Sequence, residues 1–235
     1  MPQGGGIFEG KDLFTMISAV LFDLDGLLID SEKGFYQLVL DFIGPYGGYM
    51  SLEEYTGRFA GRTLMDNVKS YIERFNLPMT PEEGFTLMAN MEKEALISGK
   101  SGRLMKGAEE LLNYLKETGI RAVLASSSTE ERAVSILEAN RISSYFYALT
   151  CGPSVKRPKP APDIFLEAAR AAGCAPSHCL ALEDSENGIR SAFAARIPVI
   201  CIPDLKKPGD ECRKMAAAVL PSLDLVIPYI EAHRL

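Results

Sequence analysis

Short apolar runs recur along the chain, and the segments between them repeat their apolar residues at the spacing of helices. The runs, which predict strands, cover residues 17–22, 121–125, 145–150, 179–182 and 198–202. The helical patterns between them cover residues 107–118, 129–140, 162–172 and 187–195. Because strands and helices of this length alternate, they predict an α/β fold with right-handed crossovers and a parallel sheet covered by helices on both faces.

The alternation stops between residues 31 and 103, where helical patterns at 33–43, 63–75 and 81–97 follow one another without a convincing strand. This pattern predicts a small all-helical insert after the first strand. Ligands of open α/β sheets bind outside the carboxyl ends of the strands, so an insert that leaves from that end would lie over the site as a cap. We therefore predict a flexible tail of residues 1–16, a core domain of residues 17–30 and 104–235, and a cap domain of residues 31–103.

Charge and composition narrow the classes of partner. The 25 basic and 31 acidic residues are mixed along the chain, with a net charge of -6 and no basic run of the kind that binds nucleic acid. No apolar run approaches the roughly 20 residues of a membrane span, so we expect neither a nucleic-acid partner nor membrane insertion. The five cysteines form no C-x-x-C pair, which predicts reduced thiols and a cytoplasmic location.

The string FDLDGLLIDSE at residues 22–32 places Asp23 and Asp25 two residues apart, directly after the first predicted strand. An ionised aspartate can attack phosphorus without a base, and a second carboxyl can protonate the leaving oxygen and later deprotonate water. A solvated D-G turn is the ordinary structural explanation of the same residues. A calcium loop is a further alternative, but the glycine comes too early for that pattern.

Two further strings follow predicted strands and could bind phosphate. In ASSS, the hydroxyl and N-H groups of Ser126 and Ser127 precede a helix start, which is a natural phosphate cradle, although S-S-T-E is equally typical of a helix capping box. In RPKPAPD, prolines flank Lys159. A fixed ammonium there would neutralise a phosphate and a carboxylate, while an exposed loop lysine is the alternative.

The string LALEDSENG delivers the adjacent carboxylates Glu183 and Asp184 to the end of another predicted strand. Together with Asp23 they would form an all-oxygen site of the kind that Mg²⁺ prefers. An acidic helix cap explains the same residues and is compatible with a metal. We favour the metal because the acidic strings end separate predicted strands on one side of one sheet.

Taken in order, DLDGLLIDSE, ASSS, RPKPAPD and LEDSENG closely resemble the four motifs of the haloacid dehalogenase superfamily. The resemblance spans residues 17 to about 227. The chain most resembles the subgroup of β-phosphoglucomutases and small-metabolite phosphatases. Proteins of this subgroup have a Rossmann-like core with a doubly wound parallel sheet, and a helical cap between the first two motifs.

The resemblance implies a role for each matching residue. Asp23 would be the nucleophile that forms an aspartyl phosphate, and Asp25 the general acid and base. Phosphate ligands would be Ser126, with Ser127 beside it, and Lys159. The implied Mg²⁺ ligands are Asp23, the backbone carbonyl of Asp25, and Asp184 with Glu183 close by.

Two positions bear on the substrate. The string FAGRT at residues 59–63 is similar to the loop with which this subgroup inspects its substrate, so Arg62 is an anion-binding candidate, with a solvated arginine as the alternative. Phe35 stands where β-phosphoglucomutases carry a histidine. We therefore expect a magnesium-dependent phosphatase acting on a small phosphorylated metabolite, such as a sugar phosphate or nucleoside monophosphate. A phosphosugar mutase and a non-catalytic sensor of a phosphorylated ligand are the alternatives, and the oligomeric state is left open.

Overall fold

The computed structural model describes residues 17–60, 62–97, 102–205 and 207–233, so the predicted tail of residues 1–16 lies outside the described residues. The strands are β1 (Ala19–Phe22), β2 (Arg121–Ser126), β3 (Phe146–Cys151), β4 (Cys179–Glu183), β5 (Val199–Cys201) and β6 (Ala218–Val219). They form one parallel sheet in the order β3-β2-β1-β4-β5-β6. The predicted α/β fold with a parallel sheet is confirmed.

Strand β1 lies at the centre of this sheet because all four of its side chains are apolar and buried. Phe22 at its carboxyl end pairs with Leu124 of β2 on one side and with Leu182 of β4 on the other. The three strands therefore end at the same edge of the sheet, and the residues that follow them meet there.

Helices cover both faces of the sheet. They are α5 (Ala108–Thr118), α6 (Glu130–Ala139), α7 (Asp163–Ala171), α8 (Glu186–Ala194), α9 (Asp210–Met215) and α10 (Val226–Ala232), numbered after four helices of the insert. One apolar cluster packs α5, α6 and α10 against the sheet, and a second packs α7, α8 and α9 against its other face. This arrangement is the doubly wound architecture, in which a buried layer lies on each side of the sheet.

The insert between β1 and β2 consists of α1 (Ser31–Ile43), α2 (Leu52–Arg58), α3 (Leu64–Phe75) and α4 (Pro81–Ile97). Side chains of Asp30, Ser51 and Thr63 accept hydrogen bonds from backbone N-H groups in the first turns of α1, α2 and α3 and fix where these helices begin. Its helices pack around an apolar cluster of their own. The division into a core domain and a cap domain stays a prediction, which this separate cluster supports.

The two chain segments that join the insert to the sheet layer are paired with each other. Ile29 and Leu104 form an antiparallel bridge. The N-H of Asp30 donates to the carbonyl of Arg103 at 2.9 Å, and the N-H of Met105 donates to Leu28 at 2.8 Å. The insert is therefore joined to the sheet layer through one hydrogen-bonded pair of segments.

Among the described residues, no helix has both the length and the apolar character needed to cross a membrane.

Candidate active site

Three carboxylates and one ammonium meet where β1 and β4 end. Asp23, Glu183 and Asp184 each place a carboxylate oxygen within 4.8 Å of the others. The Nζ of Lys159 lies 2.5 Å from Asp23 Oδ1 and 2.5 Å from Glu183 Oε1. The Lys159 side chain is only 7% exposed, and Glu183 is fully buried. The structure thus brings together four of the residues that the sequence singled out, with one positive charge among three acidic groups.

Glu183 is held by the start of the helix that follows it. Its Oε2 accepts hydrogen bonds from the N-H groups of Asp184 and Ser185 and from the Ser185 hydroxyl, at 3.0 to 3.2 Å. A Cβ on Gly188 would lie 1.8 Å from the Glu183 carboxyl carbon, so only glycine leaves room for this carboxylate. With Oε1 on Lys159, both oxygens of Glu183 have protein donors. Glu183 therefore anchors Lys159 beside Asp23.

Asp25 points to a different set of partners. Its carboxylate accepts from Arg132 Nη1 at 2.7 Å and Nη2 at 2.9 Å, and from the Ser128 hydroxyl at 3.0 Å. Burial raises the pKa of Asp25, but the hydrogen bonds and charge of Arg132, together with hydrogen bonds from Ser128 and Ser31, outweigh burial, so the pKa lies below its ordinary value. Arg132 was not among the residues that the sequence singled out.

The two serines of ASSS occupy unlike positions. Ser126 is buried, and its hydroxyl oxygen accepts from the N-H of Ser128 at 3.1 Å. Ser127 is exposed and faces the cavity between sheet and insert. Thr129 caps α6 by accepting from the N-H of Arg132, so the capping explanation holds for this segment alongside its place at the site.

A cavity of about 560 Å³ lies between the insert and the carboxyl edge of the sheet. The sheet side contributes Asp25, Ser127 and Arg132, and the insert contributes Phe35, Tyr55 and Arg62. Arg62 donates to Ser70 Oγ at 3.3 Å and to the Asp66 carbonyl at 3.4 Å, which ties its guanidinium to α3. Its contact with a substrate stays a prediction.

Comparison with known proteins identifies the family. The sequence model of haloacid dehalogenase-like hydrolases matches residues 20–202, which include every one of the four strings described above. The chain belongs to this family. The resemblance drawn from the sequence is confirmed, and the protein is a haloacid dehalogenase-like enzyme of the kind that includes phosphatases.

Named relatives of this haloacid dehalogenase-like hydrolase include two phosphatases. A Drosophila melanogaster protein named "Probable pseudouridine-5'-phosphatase" is 33% identical over 213 residues, which cover 88% of this chain and 90% of the relative. Hexitol phosphatase B of Escherichia coli is 30% identical, with 88% and 93% covered. The crystal structure of a β-phosphoglucomutase from Clostridium difficile is 25% identical, covers 93% of this chain and 97% of that chain, and superposes with a TM-score of 0.66.

Within the described part of the chain, the cluster of Asp23, Glu183 and Asp184 has only the ammonium of Lys159 in contact with its carboxylates to balance their negative charge. Burial raises the pKa of Asp23 to about 7, against the lowering effect of Lys159. Burial also raises the pKa of Asp184 to about 9, and the charges of Glu183 and Asp23 add to that rise. Burial opposes a high pKa for Lys159, but Asp23 and Glu183 together hold that pKa above its ordinary value. A cation among these oxygens would relieve their repulsion.

The cluster also has the shape and chemistry of a cation site. A Cβ on Gly26 would lie 2.4 Å from Asp184 Oδ2, and Gly26 has a φ of +79°, so the glycine lets the backbone after Asp25 approach Asp184. The donors are all oxygens, which suits a hard divalent cation such as Mg²⁺. The residues present therefore fit the metal that the sequence predicts.

Proposed function

We propose that this protein is a magnesium-dependent phosphatase that hydrolyses a small phosphorylated metabolite through an aspartyl phosphate on Asp23. The observation that carries the proposal is the position of Asp23, which directly follows the central strand β1 and accepts a hydrogen bond from the buried ammonium of Lys159. Sugar phosphates and nucleoside monophosphates are the proposed substrate class. The names of the relatives, a pseudouridine-5'-phosphatase and a hexitol phosphatase, support that choice.

Asp23, Asp184 and the backbone carbonyl of Asp25 would hold Mg²⁺, with Glu183 close by. When bound, the ion supplies positive charge to the oxygens of the phosphoryl group. Lys159 supplies a second, fixed positive charge at the Asp23 carboxylate. Glu183 keeps that ammonium in place.

Proton transfer falls to Asp25. Asp23 Oδ attacks phosphorus, and the bond between phosphorus and the leaving oxygen breaks as Asp25 gives that oxygen a proton. Asp25, now ionised, then takes a proton from a water whose oxygen attacks the phosphorus of the aspartyl phosphate. Inorganic phosphate leaves, and Asp23 is restored as a carboxylate. The ionised form of Asp25 that Arg132 favours is the base needed in this second step, and the proton that Asp25 takes from water is the one that it gives to the leaving oxygen of the next substrate.

Phe35 supports hydrolysis over the mutase reaction. It lies on the insert side of the cavity, and the centre of its ring is 6.5 Å from the centre of the Tyr55 ring. A phenyl ring can neither take nor give a proton, so this position lacks the group that the sugar-phosphate mutases are expected to carry there.

The test joins phosphate release to chemical trapping. Wild-type protein with Mg²⁺ should release phosphate from p-nitrophenyl phosphate, and acid-quenched samples should carry phosphate on the peptide that contains Asp23. Asp23→Asn should show neither signal while keeping the circular dichroism spectrum of the wild type. Phosphate release by Asp23→Asn near the wild-type rate would exclude the covalent mechanism. Phosphate binding without release would support the sensor, and isomerisation of a sugar phosphate without release would support the mutase.

A further inference from the structure

The Arg132 side chain links Asp25, the proposed proton-transfer group, to helix α4 of the insert. From the first turn of α6, its two terminal nitrogens hold both carboxylate oxygens of Asp25, at 2.7 and 2.9 Å. Arg132 Nη1 also lies 2.7 Å from the Ser128 hydroxyl, which itself donates to Asp25. A two-point contact of this kind fixes the plane of a carboxylate as well as its distance.

The third nitrogen of the Arg132 guanidinium faces the insert. Its Nε donates to Glu92 Oε1 on α4 at 3.2 Å, across 40 residues of sequence. The two side chains are 27% and 28% exposed, so the pair lies partly away from solvent. A shift of α4 relative to α6 would pull on the guanidinium that holds Asp25.

We propose that Arg132 is a positioning residue that orients the Asp25 carboxylate, and that Glu92 seats Arg132 and so couples the insert to that orientation. The inference rests on the proposed function, in which Asp25 exchanges protons with the leaving group and with water. Such transfer needs a heavy-atom distance of about 2.6–3.2 Å. A misplacement of about 1 Å costs roughly 100-fold in rate.

Arg132 and Glu92 also line the cavity, so direct contact with the substrate is the competing role. The two roles have different kinetic signatures. A lost substrate contact raises the concentration needed for half-maximal rate and leaves the maximal rate intact. A displaced Asp25 lowers the maximal rate, and it does so most for a leaving group that needs a proton.

The test compares phenyl phosphate with p-nitrophenyl phosphate, which have similar shapes and differ in leaving-group acidity. Single-turnover release of the phenol isolates the first chemical step. Arg132→Ala should slow release from phenyl phosphate about 10- to 100-fold, slow release from p-nitrophenyl phosphate clearly less, and change half-saturation by less than about twofold. Arg132→Lys should recover part of the rate, because lysine supplies the charge without the two-point contact.

Glu92→Gln should reproduce the same pattern with a loss of about threefold, the scale of a partly exposed pair. Glu94→Gln is the matched control, since Glu94 is exposed on the same helix, and it should be unchanged. In the Arg132→Ala background, Glu92→Gln should have no further effect, because Glu92 acts through Arg132.

Three results would overturn the inference: equal slowing of both esters by Arg132→Ala, raised half-saturation with an intact maximal rate, or additive effects of the Arg132 and Glu92 changes. Thermal melting identifies a variant that fails to fold, and Arg132→Lys and Glu92→Gln then carry the test. Failure of the proposed function is a separate result, since it would appear as undiminished phosphate release by Asp23→Asn.

Discussion

The sheet layer and the helical insert place their side chains at the cavity in different ways. In the sheet layer, Asp23, Ser126 and Glu183 come from the ends of adjacent parallel strands, whose register the backbone hydrogen bonds fix. In the insert, Phe35 and Glu92 project from the sides of separate helices, so their positions depend on how α1 and α4 pack. The side chains at the strand ends are thus positioned by the register of the sheet, and those of the insert by the packing of its helices.

This contrast implies that changes at the strand ends alter the reaction rate most. Changes on the insert should alter substrate preference at Arg62 and lower the rate only weakly at Glu92. The largest expected effect is that of Asp25→Asn. It should slow turnover on the order of 100-fold, the usual scale of general acid and base catalysis. With p-nitrophenyl phosphate, release of nitrophenol should show a burst followed by slow turnover, because the second step still lacks its base. A normal steady-state rate without a burst would remove Asp25 from the mechanism.

Two glycine substitutions, one beside the carboxylate cluster and one on the insert, test the contrast through the free energy of unfolding. Gly188→Ala should lower the free energy of unfolding by about 1–3 kcal/mol, the range for added atoms in a tightly packed site, because its Cβ would overlap the Glu183 carboxylate. Gly57→Ala on α2 is the matched control. Gly57 is exposed and has no atom near an added Cβ, so alanine should stabilise the protein by about 0.5 kcal/mol through helix propensity. Urea unfolding measures both, and equal effects would contradict the difference in packing.

Metal removal tests the electrostatics of the sheet edge. Burial holds the pKa of Asp184 at about 9 in the folded protein, so below that pH the folded state binds a proton that the unfolded state does not. Stability of the metal-free protein should therefore rise as pH falls from about 9 toward 6. Excess Mg²⁺ should raise the melting temperature most at pH 9, where the ionised fraction of Asp184 is largest within this range. Asp184→Asn should weaken both trends, and a metal-free melting temperature that rises with pH in this window would contradict them.

The smallest expected effect lies on the insert. Arg62→Ala should raise the KM for the metabolite chosen by a screen of sugar phosphates and nucleoside monophosphates by about three- to fivefold, the scale of an exposed charge pair. The KM for p-nitrophenyl phosphate should hardly change, since that ester carries nothing for the insert to bind. Arg58→Ala, on a neighbouring exposed arginine, is the control. Equal changes for both substrates would assign Arg62 to the phosphate site or to stability.

The same contrast explains how much of the fold the sequence predicted. The apolar runs gave β1 to β5, and the alternation gave α5 to α8, each within about two residues of its observed bounds. The two-residue β6 has too few positions to show a pattern. The short helices α2, α9 and α10 were missed for a similar reason, since six or seven residues hold fewer than two full turns.

The residues of the candidate site also differ in whether the sequence alone could identify them. Asp23, Lys159, Glu183 and Asp184 could be singled out from sequence because each lies in a short string next to a strand end or helix start. Arg132 and Glu92 could not, because Arg132 meets Asp25 across 107 residues of sequence and meets Glu92 only after α4 packs beside α6. The roles of all these residues, and the division into core and cap, stay predictions.

The hydrogen-bonded pair formed by Ile29 with Leu104 and by Asp30 with Arg103 has a consequence for protein engineering. Because the chain leaves the sheet layer and returns to it at almost one point, the ends of the interruption are already adjacent. Chain breaks of this geometry tolerate both removal and replacement of the intervening segment. The sheet layer can therefore serve as a scaffold in which a short linker or a different helical module replaces residues 31–102. Strands β1 and β2 would keep their pairing register.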